Sequence, residues 1–346
     1  HLAGENMTTG VQNTIIGGLA GDALTTGHYN VAVGYQALTT EDGHGRNVAL
    51  GWYALGAQNA GADAYNVAVG FNTGGAITTG INNTLIGGQA GDALDTGNNN
   101  VALGYNALGQ ETKGDRNVAV GANALVTQNN TSNVDSYNTA IGYDAGTAMT
   151  TGIQNTLIGG LAGDALTIGN NNIAIGYLAL STSVDGDSNT AIGYKALEDY
   201  EDGDGNGHNT AVGASSQLNA TTGEFNTSLG SLSMGTGVVT GDYNVAIGNE
   251  AGYDLTSGTR NTFVGYRSGY EATTDTSNTG VGYNSLKSSK TSTNNVAIGD
   301  SALEANVDGD ANVAVGYLAL RVFEPANGAT YNTAVGYSAG VAMTTG

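Results

Sequence analysis

The chain is expected to be all-β: a parallel β-solenoid, or β-roll, of about 19 rungs with a 17-residue period. Three observations predict this. An Asn recurs at positions 13, 30, 47, 66, 83, 100, 117, 138, 155, 172, 189, 209, 226, 244, 261, 278, 295, 312 and 332, mostly 17 apart. A Gly stands four residues after each of them, from Gly17 and Gly34 to Gly316 and Gly336. Between Asn and Gly lies a β-branched, small, β-branched triplet, as in Asn30-Val-Ala-Val-Gly34.

Counting the Asn as site one, the second site is Val, Ile or Thr, the third usually Ala, and the fourth always Val, Ile or Leu. Such a triplet closed by Gly reads as a short strand and a tight turn. Helix is excluded, because no apolar stripe at three- or four-residue spacing survives the Gly positions. The eighth site is small and the ninth mostly Leu or Gly. A second short strand is expected around sites seven to eleven. A Thr-Gly or Asp-Gly turn then leads to the next Asn.

Coils stacked in parallel rise roughly 4.8 Å each, so eighteen intervals predict a rod about 85–90 Å long. The fixed residues then have structural work. A corner Asn can bond the rungs above and below, as in stacked β-ladders. The Gly supplies the positive φ of a sharp corner. The pairs expected to form this ladder include Asn30 with Gly34, Asn47 with Gly51, Asn100 with Gly104, Asn172 with Gly176, and Asn312 with Gly316.

Residues 1–346 read as a single continuous repeat region. Met7–Leu38, Ile77–Leu108 and Met149–Leu180 are close copies, which suggests growth by duplicated four-rung blocks. Met343-Thr-Thr-Gly346 repeats Met7-Thr-Thr-Gly10, so the array is expected to be an excerpt of a longer fibre. Extra residues fall between the ninth site and the next Asn, at 56–65, 126–137, 198–208, 235–243 and 321–331. Insertions confined to one place mark an outward turn and a place for binding.

The strand carries apolar residues on both faces, sites two and four on one and site three on the other. Sheets buried on both faces have this character. Small Ala at the third site would let another chain approach, and Ile15, Leu85, Leu157 and Phe263 there would be awkward in water. A homotrimer is the expected assembly, with a monomeric solenoid as the simpler alternative.

Composition excludes several classes. There are 57 Gly but 1 Pro, with no collagen period, and the 40% apolar fraction is too high for a disordered linker. Net charge is −21, from 30 acids and 9 bases, which disfavours nucleic acid and anionic membrane surfaces. There is no Cys, and no apolar run long enough to insert in a membrane.

No catalytic constellation is legible. His1, His28, His44 and His208 are scattered, and no nucleophile triad, zinc-protease motif or P-loop occurs. The chain is expected not to be an enzyme and to carry no cofactor. Asp202, Asp204 and Asn206 open like a calcium loop, but position twelve would be Gly213 and the flanks are not helical. A solvated acidic turn is the simpler reading of these residues, and bound Ca²⁺ the sharper one.

Aromatic residues form two series: Tyr35, Trp52, Phe71, Tyr105 and others at the sixth site, and Tyr29, Tyr65, Tyr137, Phe225, Tyr243 and Tyr331 before the Asn. Cross-rung stacking is their expected role, glycan contact the alternative. The Thr-Thr-Gly turns invite an ice-binding reading, but no long regular Thr-x-Thr ladder appears.

The N-V-A-V-G and N-T-A-I-G units resemble the head repeats of trimeric autotransporter adhesins. They are more similar still to the N-T-A-I-G-Y arrays of phage tail fibre and bacterial surface fibre proteins. The resemblance covers Asn13 to Asn332 and implies a homotrimeric β-roll in an extracellular, cell-surface or virion setting. The 17-residue rung is longer than the usual adhesin-head rung. The function expected is a structural, adhesive fibre shaft that binds itself and, through its loops, a cell-surface glycan or protein receptor. A self-assembling extracellular filament is the alternative, and a carbohydrate-active tail spike segment a second.

Overall fold

The computed structural model describes residues 2–201, 206–325 and 328–344. Two compact units divide the chain, His1–Asn171 and Asn172–Gly346. Each is a parallel β-solenoid, and together they hold about 19 turns of roughly 17 residues, with no helix among the described residues.

Every turn contributes one three-residue strand at sites two to four, from Thr14–Ile16 to Thr156–Ile158 in the first unit and from Ile173–Ile175 to Thr333–Val335 in the second. Neighbouring strands pair in parallel without slippage, so Val31 faces Thr14 and Val48, and Thr210 faces Thr190 and Thr227. Loop insertions leave this register unchanged: Asn47 and Asn66 are 19 apart, yet Val48 still meets Val67.

The second strand expected at sites seven to eleven is absent. That segment is a run of turns. The reason is backbone handedness. Site seven is left-handed at Gln36 (φ 56°), and site nine at Leu38 (φ 52°). A chain that reverses handedness at alternate residues cannot extend. It still bonds from coil to coil, as in Gln36 N–H to Gly18 O at 3.0 Å and Leu38 N–H to Ala54 O at 3.0 Å.

A left-handed Leu costs ~1–2 kcal/mol in backbone sterics. Full burial of its side chain returns ~1.5–3 kcal/mol. The balance is close, so the neighbours' volume decides between Leu and Gly at site nine. Where the third site is Ala both in its own coil and in the next, as at Ala32 and Ala49 or Ala102 and Ala119, a buried Leu38 or Leu108 fills the interior. Around a large third-site residue, Gly yields the space in that coil and in the one before it, as Gly91 and Gly74 do for Leu85 and Gly163 and Gly146 do for Leu157.

The core therefore lies inside each coil. Third-site Ala32, Leu85, Leu157 and Phe263, eighth-site Ala37 and twelfth-site Leu24 are all fully buried, while Ile15 at the first coil is half-buried. This corrects the expectation that the third site faces another chain. Those residues pack within their own coil, against the turns at sites eight, nine and twelve.

Candidate functional site

The feature left open to solvent is the other face of the sheet. Sites two and four point outward in every coil, and none of their residues is buried. All thirty-eight are Thr, Val, Ile or Leu. Exposure is 44% at Leu50 and Leu103 and 48% at Leu229, and it reaches 60% at Ile16 and 68% at Val335 in the end coils. No charge stands in these two columns, although the chain carries 39 charged side chains, 30 acids plus 9 bases.

The stripe has substantial size. Nine coils at ~4.8 Å and three residues across at ~3.3 Å make roughly 400 Å² in the first unit. Two aromatic-rich rows flank it. At site six, Trp52 stacks on Phe71 with centroids 4.8 Å apart, and Tyr266 on Tyr283 at 5.3 Å. Before the Asn, His208, Phe225 and Tyr243 form a continuous stack at 5.0 and 5.1 Å. Arg46 lies between the Tyr29 and Tyr65 rings and pairs with Asp63 at 2.6 Å. Including these rows roughly doubles the surface by the same spacing. Their rings lie face to face, within 11° for Trp52 and Phe71. Ring faces spent on each other present mainly edges to a ligand.

Behind this face runs the Asn column. Asn30 Oδ1 accepts the Asn47 N–H at 3.0 Å, and Asn30 Nδ2 donates to His44 O at 3.1 Å. Asn100 does the same with Asn117 N–H and Gly114 O, both at 2.9 Å. Asn172 accepts from Asn189 at 2.9 Å and donates to Gly186 O at 2.7 Å. Asn312 accepts from Asn332 at 3.1 Å and donates to Asp310 O at 3.0 Å. Asn47 accepts from Asn66 at 3.1 Å, but its Nδ2 has no partner. Each of these side chains fastens one coil to the next, and those of Asn30, Asn100 and Asn172 also close their own turn.

The fifth-site Gly is required by both backbone and space. At Gly104 φ is 141°, and a Cβ would lie 2.5 Å from the Gly121 carbonyl oxygen. Gly34, Gly51, Gly176 and Gly316 have φ between 130° and 142° and face the corresponding carbonyl of the next coil.

Asp202 and Asp204 lie outside the described residues. Asn206 is exposed, and its carbonyl accepts the hydroxyl of fully buried Tyr200 at 2.9 Å. One group of potential metal ligands occurs among the described residues, Glu41, Asp42 and His44, whose ligand atoms lie within 4.8 Å of one another. Sequence reasoning missed it, because the twelfth site is apolar in most coils and only closure of the coil buries Glu41. Burial pushes the Glu41 carboxyl up, against the opposing pull of His44.

A second buried carboxylate is Asp275. Its Oδ1 accepts from Ser289 at 2.5 Å, Ser292 at 2.9 Å and Asn278 Nδ2 at 3.3 Å. Burial raises its pKa to about 6, despite the counter-effect of those hydroxyls and of the Thr273 N–H.

No pocket occurs among the described residues, and no helix long and apolar enough to cross a membrane is found among them. No protein-family model matches the chain, and no curated protein matches its sequence.

Proposed function

We propose that this chain is a segment of a structural, adhesive fibre, and that it self-associates through the outward sheet face as a homotrimer. The observation that carries the reading is the uncharged Thr/Val/Ile/Leu face on a strongly acidic chain. Monomeric proteins rarely expose apolar patches beyond a few hundred Å². A stable contact removes about 800 Å² per partner, which the stripe and its flanking rows match in each unit. Net negative charge is kept off the two outward columns themselves.

In this reading the shaft works mechanically. Parallel ladders and the Asn column resist slippage, and the inserted turns at 56–65 and 126–137 carry exposed residues. Thr131, Ser132 and Asn133 are exposed there and suit contact with a cell-surface glycan or protein receptor. Three copies turn weak contacts into firm attachment. The setting is extracellular, on a cell surface or a virion.

Light scattering tests the proposal. A mass three times the 34.6 kDa chain is expected. A single-chain mass overturns self-association. A heterogeneous series of higher masses instead supports the filament subunit, and release of sugars from polysaccharide supports a carbohydrate-active segment.

A further inference from the structure

We propose that Glu41, Asp42 and His44 form a binding site for one divalent transition-metal ion of the zinc type. Two coils of the first unit carry Glu at the inward twelfth site, and their carboxylates differ. Glu111 is saturated. Its Oε1 accepts the N–H groups of Lys113, Gly114 and Asn130 at 2.9, 2.7 and 3.1 Å, and its Oε2 accepts from Asn130 Nδ2 at 2.9 Å. Glu41 is equally buried, with no exposed surface. Its Oε1 accepts the His44 N–H at 3.0 Å, and its Oε2 is buried without a hydrogen-bond partner. A backbone hydrogen bond from Ala60 also favours the charged carboxylate, and Oε2 still has no partner of its own.

Beside it, His44 Nδ1 is also shut from solvent and without a hydrogen bond. It stands 3.5 Å from Glu41 Oε1, beyond the usual N–H···O range. Two buried ligand-type atoms are thus left open side by side. A cation serves both and adds the exposed Asp42 carboxylate. Tetrahedral bonds of about 2.0–2.2 Å place two ligands of one zinc ion roughly 3.4 Å apart, so side-chain rotations of about an ångström close the 4.8 Å cluster.

The ligand set selects the ion. Imidazole with carboxylates suits zinc-like metals, whereas Ca²⁺ and Mg²⁺ take oxygen ligands. Asn47 fits as an outer partner. In other coils this Asn leans on the twelfth-site side chain, as Asn66 Nδ2 does on Gln58 at 2.6 Å. Here its Nδ2 is unpaired, and a carboxylate bound to metal through one oxygen keeps the other free to accept it.

The test is titration of the full, chelator-treated chain with Zn²⁺ alone, for wild type, E41Q, H44A and E111Q, with thermal melting in parallel. The expected result is one equivalent bound, at least tenfold weaker in E41Q and in H44A, unchanged in E111Q, and a melting temperature raised by Zn²⁺ in wild type but not in H44A. Because His44 is on a half-exposed turn, H44A keeps the test readable even if E41Q alters folding. Absence of uptake, or uptake that survives both substitutions, overturns the site.

Discussion

The ring of Phe263 occupies the space that a Cβ on Gly269 would need, with its ring atoms 2.5 Å from that position. Both belong to the coil anchored at Asn261. Gly252 of the preceding coil and Gly280 of the following one lean on the same ring, at 3.4 and 3.3 Å from their Cβ positions. Gly269 → Ala is expected to destabilise the second unit by roughly 2–4 kcal/mol, through overpacking and a left-handed Ala. Phe263 → Ala is expected to cost about 3–5 kcal/mol as a cavity. The double variant Phe263 → Ala with Gly269 → Leu restores the pairing seen at Ala314 and Leu320, and should be more stable than Phe263 → Ala alone. Denaturation midpoints of the cycle measure this coupling.

The Asn column should fail locally when one member is removed. Asn83 Oδ1 accepts the Asn100 N–H at 2.9 Å, and its Nδ2 donates to Gly97 O at 2.9 Å. Asn83 → Ala leaves a buried donor and a buried acceptor without partners. The expected loss is roughly 2–6 kcal/mol, at 1–3 kcal/mol for each orphaned group. Hydrogen exchange reads the effect directly: the Asn100 amide should lose protection more than amides several coils away. Uniform loss along the first unit would show that the column acts only through global stability.

Asp275 gives a pH dependence with a definite sign. Its folded pKa of about 6 lies above its ordinary 3.8, and the groups that hydrogen-bond it, Ser289, Ser292, Asn278 and the Thr273 N–H, are neutral. The folded chain therefore binds this proton more tightly than the unfolded chain. Its stabilising effect is fully present below pH 3.8 and is lost as pH rises through about 6. The span corresponds to about 3 kcal/mol at 1.36 kcal/mol per unit. Asp275 → Asn should stabilise the second unit at pH 7 and leave it little changed at pH 4. Melting temperatures of both proteins across pH 3.5–7.5 check it, and a constant difference would refute the assignment.

Charge placed on the outward face should separate assembly from folding. Ile141 is 38% exposed on that face, and Ile158 is its paired neighbour in the next coil. Ile141 → Lys with Ile158 → Lys adds like charges at one contact, each desolvated if copies meet there. The expected outcome is a drop to single-chain mass with an unchanged far-ultraviolet spectrum. Asn133 → Lys, on an exposed loop, should leave the mass unaltered. Retained assembly in the double Lys variant would move the contact to another surface.

Much of this architecture was legible in the repeat itself. The recurring Asn and Gly determined the period, the parallel register and the places where insertions are tolerated. Their reason is local: only Gly suits a φ of 141° pressed against a carbonyl, and only a short amide bonds its own turn and the next coil together. What the tertiary structure decided was direction. Sites two and four are as apolar as site three, so alternation separates two faces without saying which is inside. The narrow coil decides it. With Leu38 and Leu24 filling the interior from the turns, only Ala32 fits between them, and the bulkier Val31 and Val33 are left outside. The turns at sites seven to eleven were illegible for a related reason, since Gln36 and Leu38 carry no mark of a left-handed backbone. Glu41 became a candidate ligand only once coil closure had buried its carboxylate beside His44.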